Sequence, residues 1–271
     1  MNGRLALRVG LEKGRSTLLE AHCEFPLQIL RPQRAADEWL QLVLLTPSGG
    51  LLDGDELQAE IVVERGAELE LRTQAATQLH SGRSSQTWSM CLHDGASLSY
   101  VPHALVPHAG ATHHTRLSIA MAGSARLLVA EAVAPGRTHL GELFAYDELR
   151  SDLDVLRDGT LVARERQVVQ PRASMLCSQL GPYGYFASAY LIGPDPEPFD
   201  ASTMPITSVV QFGVSELALG GLCMRLLAQR AFDIEEVLAA IRERWRQRSH
   251  GGPELADLTR PLSEAIPARS N

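Results

Sequence analysis

The chain writes a strand-like run, a glycine-centred corner and another strand-like run four times. The corners are Arg65-Gly66-Ala67-Glu68-Leu69, Asp94-Gly95-Ala96-Ser97-Leu98, Ala122-Gly123-Ser124-Ala125-Arg126-Leu127 and Asp158-Gly159-Thr160-Leu161. Their glycines are separated by 95 − 66 = 29, 123 − 95 = 28 and 159 − 123 = 36 positions. A period in this range marks a supersecondary unit stacked on copies of itself. Glycine reaches the positive φ of a tight corner, and a small neighbour lets successive coils approach closely. The apolar residue after each corner returns the chain to the core. The expected fold class is therefore mainly β: a stacked, β-solenoid-like body of many short strands with a small C-terminal helical element.

A chain of 271 residues, 45% of them apolar, can bury a large core. Its net charge of −7 argues against a nucleic-acid partner, which calls for a basic excess. Lys13 is the only lysine, so the basic residues are otherwise arginines, whose fork suits carboxylates. Cys23, Cys91, Cys177 and Cys223 lie far apart and form no zinc pattern; Cys91 and Cys223 are expected to be buried as small hydrophobes. No signal peptide is evident and no apolar run approaches the roughly 18 residues of a membrane span. A cytoplasmic, reduced setting with no membrane partner is expected.

The expected organisation is one domain over 1–271, with a β body about 15–228, a helix about 233–248 and a mobile tail 249–271. Arg15 to Phe25 reads as a strand. Trp39 to Leu45 reads as a strand buried on both faces. Leu57, Ala59, Ile61 and Val63 share one face of an alternating strand. Ser97–Val101, Arg116–Met121, Arg126–Val133, Leu149–Leu156 and Tyr185–Ile192 continue the series. Gly193 to Pro198 reads as a rigid loop, and a hairpin is expected around Gly220-Gly221. Asp233 and Glu236 form a capping-box pattern, after which Ile234, Val237, Leu238, Ile241 and Trp245 share a helical face. Arg242, Arg244, Arg246 and Arg248 then suit the negative end of the helix dipole.

Histidines crowd one stretch: His80, His93, His103, His108, His113, His114 and His139. Imidazole suits borderline transition metals. In a strand, however, His113 and His114 point to opposite faces, and no recognised ligand spacing joins them to His108. His108, His113 and His114 are weak metal candidates only. Asp53 and Asp55 flank Gly54, where turn chemistry accounts for Asp53. The chain has no nucleophile elbow, no HExxH and no phosphate loop. A carbohydrate-active β-solenoid and a metal-dependent enzyme using the His80–His139 stretch remain alternatives. Low aromatic content (5%) disfavours the first.

Pro47-Ser48-Gly49-Gly50-Leu51-Leu52-Asp53-Gly54-Asp55 follows an apolar strand and is similar to the P-x-G-G-x-x-x-G-D motif of the urease accessory protein family UreD, called UreH in some systems. Leu71 to Thr77 resembles the family's L-T-T-x-x-A-T stretch. Pro102 and Pro107-His108-Ala109-Gly110-Ala111 resemble its proline-led strand and turn. Glu131, Gly136-Arg137 and Gly141-Glu142 match E-x₄-G-R-x₃-G-E, and Arg157-Asp158-Gly159 and Glu165-Arg166 match the R-D-G and E-R that follow. Gly220-Gly221-Leu222, Arg225, Leu227 and the helix to Trp245 resemble the family's C-terminal strand and helix. The chain departs from the family at Gln78-Leu79-His80-Ser81-Gly82, which lacks a lysine and aromatic, and in its tail.

The resemblance implies a non-catalytic chaperone that helps deliver nickel to urease. It implies a scaffold bridging the accessory proteins UreF and UreG to apo-urease, with a homodimer inside the larger complex left open. It implies no tightly bound cofactor and Ni²⁺ as transient cargo, passing through the protein's interior. Asp55, Thr77, Glu131, Glu142 and Glu165 are the residues expected to line that path. Pro47, Gly49, Gly50 and Gly54 shape the motif's turns. Arg225 and Trp245 are candidate partner contacts.

Overall fold

Polar and apolar residues alternate with period two through most of the chain, and that period sends alternate side chains to opposite faces of a strand. The computed structural model describes residues 1–35, 37–174, 176–194 and 209–247. In chain order it contains β1 (Asn2–Glu12), β2 (Arg15–Cys23), β3 (Gln28–Ile29), β4 (Gln33–Arg34), β5 (Leu40–Leu45), β6 (Asp55–Val63), β7 (Glu68–Thr73), β8 (Thr77–Leu79) and β9 (Gly82–Leu92). There follow β10 (Ser97–Tyr100), β11 (Leu105–Pro107), β12 (Ala111–Met121), β13 (Arg126–Val133), β14 (Glu148–Arg157) and β15 (Thr160–Val169). Short helices α1 (Pro171–Ser174) and α2 (Leu176–Leu180) precede β16 (Tyr185–Ile192), β17 (Val210–Glu216), β18 (Leu222–Ala228) and α3 (Ala231–Gln247). The protein is mainly β.

Two sheets share these strands. One has the order β15-β14-β12-β9-β6-β1-β2, the other β17-β18-β16-β13-β10-β7-β5-β3. The chain steps from the first sheet to the second at β6→β7, β9→β10 and β12→β13. Strands of successive passes pair in parallel, with Asp55 opposite Ser84, Gly82 opposite Ala111 and Thr112 opposite Glu148. Those offsets are 84 − 55 = 29, 111 − 82 = 29 and 148 − 112 = 36, so the glycine spacing is the spacing of stacked passes.

The corners themselves differ from one another. Gly66, Gly95 and Gly159 adopt positive φ, but Gly123 does not. Gly123 is small for another reason: a Cβ there would lie 2.5 Å from Asp158 Oδ2, whose partner oxygen accepts the Gly123 N–H at 2.9 Å. The fourth corner also departs from the repeat. Asp158-Gly159 stacks on the third corner but turns β14 into β15 as an antiparallel hairpin within the same sheet. The extra seven positions of the third interval lie in the loop that returns β13 to β14, where Thr138–Leu140 forms a single 3₁₀ turn.

Leu5, Leu7 and Val9 of β1 face inward beside β6. The body therefore begins ahead of Arg15, and the alternation of Gly3-Arg4-Leu5-Ala6-Leu7-Arg8-Val9 is the signal for it. β5 is buried fully on one face only, with Gln41, Val43 and Leu45 half-covered. Cys91 and Cys223 are half-buried, in place of the expected full burial, because Trp88, Met90 and Leu92 hold the buried parity of β9 and Leu222, Met224 and Leu226 that of β18.

A first apolar core fills the space between the sheets. A second lies between the back of the β13–β16–β18 sheet and α3, through Leu128, Ala130, Ala132, Ile234, Leu238 and Ile241. Here α3 begins at Ala231, so Asp233 sits inside the first turn and does not cap it. Arg230 holds Asp233 in a paired contact at 2.6 and 2.9 Å. The C-terminal arginines are likewise used by tertiary partners: Arg246 binds Asp37 and the deeply buried Glu70, which Arg242 also approaches. Arg248, the rest of the Gly193–Pro198 loop beyond Pro194, and the tail 249–271 lie outside the described residues.

Candidate functional site

The core between the sheets is apolar except along one band. On β9, β12, β14 and β15, register places Gln86 opposite Thr115, Thr115 opposite Ser151, and Ser151 opposite Gln167. These four inward positions form a polar rung across adjacent strands, and Gln86 Nε2 donates to Thr115 Oγ1 at 2.9 Å. On the facing sheet, Glu131 of β13 lies opposite Ser188 of β16, which lies opposite Arg225 of β18. The rungs meet through Glu131, whose carboxylate is hydrogen-bonded by Ser151 and Thr115.

Three adjoining cavities of about 30, 20 and 10 Å³ follow this band, and Glu131 lines all of them. The largest runs toward Thr46, Thr73, Thr77 and His103. The second runs toward Glu165 and Tyr190. Glu131 keeps some accessible surface, but that surface opens onto the cavities and the carboxyl is deep in the protein. Desolvation therefore dominates: it pushes the Glu131 pKa up to about 7, Glu165 adds to the rise, and the bonds from Ser151 and Thr115 oppose it.

One end of the band is closed by three side chains. Tyr190 donates its hydroxyl to Glu165 Oε2 at 2.5 Å, and Arg225 reaches Glu165 at 2.9 Å and Tyr190 Oη at 3.2 Å. Burial, and then this bond to Glu165, raise the tyrosine pKa, so the hydroxyl stays protonated. The guanidinium of Arg225 lies 5.6 Å from the Tyr190 ring and is half-exposed. At the other end, His103 Nδ1 donates to the Thr73 carbonyl at 2.9 Å.

The structure thus brings Thr77, Glu131 and Glu165 to the cavities. It places Asp55 and Glu142 elsewhere. Asp55 is buried in the motif's turn, where it accepts the Leu52 N–H at 2.8 Å and contacts the amino group of Met1. Asp53 accepts the Arg83 N–H at 2.7 Å, a contact with β9 of the next pass in place of the expected bond to its own turn, which Asp55 makes instead. Within the motif Gly49, Gly50 and Gly54 all have positive φ. Gly50 has no alternative, since a Cβ there would sit 2.4 Å from the Gln78 carbonyl. Glu142 lies in the loop after β13, paired with Arg137 Nε at 2.8 Å and accepting the Ala109 N–H at 3.2 Å. Arg137 holds its carboxyl below the usual range.

The histidines separate. His108 stacks edge-on against His80 at 4.5 Å and bonds Gln78 at 2.9 Å; burial, then Arg137, lower its pKa. His114 faces outward and meets Asp152 at 2.8 Å. Burial raises the Asp152 carboxyl, but His114 and Arg150 outweigh it and hold it below the ordinary value. His113 faces inward, 2% exposed, onto the smallest cavity. Among the described residues no three His, Cys, Asp or Glu side chains are grouped to hold a metal ion. Trp245 is packed inside the chain, edge-on to Trp39 at 5.3 Å with Arg126 over its ring at 4.9 Å.

Gln86, Thr115, Ser151, Gln167, Ser188 and Tyr190 escaped the sequence reading. Their signal was parity: each is a polar group at a position where its strand's alternation calls for an apolar one, as Ser151 between Leu149 and Leu153 shows. No helix among the described residues is long and apolar enough to cross a membrane.

A sequence model of the UreD urease accessory protein family matches residues 1–260. The urease accessory protein UreD of Acetivibrio thermocellus is 26% identical over 250 residues, covering 88% of this chain and 95% of its own. That of Herpetosiphon aurantiacus is 30% identical over 263 residues, covering 91% of each. The urease accessory protein UreH of Helicobacter acinonychis is 24% identical over 246 residues, covering 89% of this chain and 92% of its own. With the family matched over nearly its whole length, the chain belongs to the UreD family of urease accessory proteins.

Proposed function

We propose that this chain helps deliver nickel to the urease active site, as a scaffold bridging UreF and UreG to apo-urease. Membership of an accessory-protein family makes its role in urease maturation non-catalytic. The delivery step is our reading, and Glu131 is the observation that carries it. An acid buried among apolar strands, lining three adjoining cavities, is costly to keep ionised and is relieved by a cation. Together with Thr77 and Glu165 it gives the band oxygen donors without a closed coordination shell, which suits passage better than storage. Asp55 and Glu142, away from the cavities, serve this reading by fixing the turn and the loop that frame the body.

The size of the cavities constrains how cargo moves. At roughly 10–15 Å³ per water, the largest has room for about two or three waters, the second for one or two and the smallest for at most one. A fully hydrated divalent ion does not fit. Ni²⁺ traverses the band partly dehydrated, with side-chain oxygens replacing lost waters, or after the sheets part slightly. The stacked passes, read as a solenoid-like coil, keep the band in register. Arg225 is half-exposed at the closed end, where a docked partner can reach it. Trp245 supports partner binding indirectly, by fixing α3 on the sheet. A cytoplasmic setting and a homodimer within the larger complex belong to the same reading.

The test is co-expression with a urease operon lacking its own UreD. Restored nickel-dependent urease activity, with UreF retained on the tagged chain, is expected. No restoration and no UreF capture would defeat the reading.

A further inference from the structure

Among the described residues His113 is the most deeply buried imidazole, 2% exposed, and it lines a cavity of the polar band. Its Nδ1 lies 2.8 Å from Ser84 Oγ, and its Nε2 is buried with no hydrogen-bond partner. The smallest cavity is lined by His113 together with Glu131, Thr115, Ser151 and Gln167, and Arg150 and five apolar residues complete its wall. Buried polar atoms are nearly always paired, so an orphaned nitrogen at a cavity wall marks the place of an absent partner. When Nδ1–H donates to Ser84, the lone pair of Nε2 is presented to the cavity. Burial, and then the adjacent His114, push the imidazole pKa down to about 3.

We propose that His113 Nε2 and the Glu131 carboxylate form a transient station for a divalent transition-metal ion inside the body. Thr115, Ser151 and Gln167 lie within the same wall to offer oxygen. The inference rests on the delivery reading for its biological meaning, but the site stands or falls by itself. It adds what oxygen donors alone do not supply. Carboxylate, hydroxyl and amide oxygens bind Mg²⁺ and Ca²⁺ as readily as transition metals, whereas imidazole favours Ni²⁺, Co²⁺ and Zn²⁺. One nitrogen beside the oxygens of Glu131, Thr115, Ser151 and Gln167 makes the band selective against the hard ions. Two strong ligands and an incomplete shell keep the ion exchangeable. His114, the next residue, faces the opposite side of the sheet, and His108 lies in the Gln78 contact, so neither contributes.

The purified full-length chain is titrated with Co²⁺ in excess Mg²⁺, reading the visible absorption bands, and with Zn²⁺ on protein carrying ¹⁵N-labelled histidine. Saturable binding is expected, with a shift of one histidine Nε2 resonance and little competition from Mg²⁺. His113→Asn is expected to weaken Co²⁺ binding at least tenfold and abolish that shift. Glu131→Gln weakens binding but retains the shift, while His114→Ala and His108→Ala change neither. Saturable Co²⁺ binding that survives His113→Asn overturns the proposal. So does wild-type protein in which no buried histidine responds to Zn²⁺, an outcome that needs no variant to fold. Restored urease activity without a His113 response leaves delivery standing and removes the station; a His113 response without restoration does the reverse.

Discussion

Replacing Glu131 by Gln isolates what the buried carboxyl costs the fold. The side chain keeps its shape, and its amide oxygen still accepts from Ser151 and Thr115. Only the charge is removed. Burial raises the carboxyl from 4.5 to about 7 in the folded chain. The folded state therefore holds its proton more tightly than the unfolded one. That contribution to stability is fully present below pH 4.5 and is lost as pH rises through about 7. A difference of about 2.5 pKa units corresponds to about 3 kcal/mol of wild-type stability lost by pH 8, of which about 1 kcal/mol is already lost at pH 5. Gln has no proton to lose. Denaturant unfolding at pH 5 and pH 8 is thus expected to show Glu131→Gln gaining about 2.5 kcal/mol on wild type across the interval. In thermal melts this is about 5–10 °C for a chain of this size. Other titrating groups are common to both proteins and cancel. Ni²⁺ at pH 8 is expected to return part of the lost stability to wild type and less to the variant, since a bound ion favours the folded state. Parallel stability curves for the two proteins across pH 5–8 would show that Glu131 ionises at no cost. The cavity would then be as wet as bulk solvent, and the account of Glu131 as a desolvated acid relieved by a cation would be refuted.

Three further outcomes follow from the packing. Gly50→Ala forces a Cβ against the Gln78 carbonyl and is expected to cost about 3 kcal/mol, whereas Gly49→Ala, at positive φ with open space beside it, costs about 1 kcal/mol; equal losses in denaturant midpoints count against the turn geometry. Trp245→Ala is expected to cost about 3–5 kcal/mol and to release α3 from hydrogen-exchange protection, because the ring fills the core against Trp39; lost UreF capture with unchanged stability would mean that the ring meets a partner instead. Arg246→Ala is expected to cost about 3–5 kcal/mol by leaving Glu70 with its principal partner removed, and adding Glu70→Gln recovers much of the loss; additive losses in the double variant would refute a shared buried network.

What was legible in the sequence is what local chemistry enforces. Glycine spacing announced successive passes that pair in parallel, 29 positions apart for the first two and 36 for the third, whose longer loop adds the difference. Period-two alternation placed Leu57, Ala59, Ile61 and Val63 inward, and the 3.6-residue period placed Ile234 to Trp245 on one helical face. The motif residues pointed to the family, and three of them, Thr77, Glu131 and Glu165, do line the cavities. Other features needed tertiary contact to exist. The fourth glycine corner looks like the others, yet it turns back on β14 because β15 completes the sheet as an antiparallel edge strand. Glu142 shares a motif with Glu131 and Asp55 closes another, and only packing sends these two acids to a loop and a turn. Trp245 reads as part of an apolar helical face and Arg246 as a charge at the helix end, but their partners Trp39, Asp37 and Glu70, roughly 175 to 210 positions earlier, are set by tertiary contact. The polar band itself is the clearest case. Gln86, Thr115, Ser151 and Gln167 are unremarkable one strand at a time; parallel register aligns them, and the facing sheet brings Glu131 to the same place. Sequence set the period and the parity of each strand, because those depend on neighbouring residues alone. Which polar groups meet inside was decided by strand register and sheet stacking, because those depend on residues far apart in the chain.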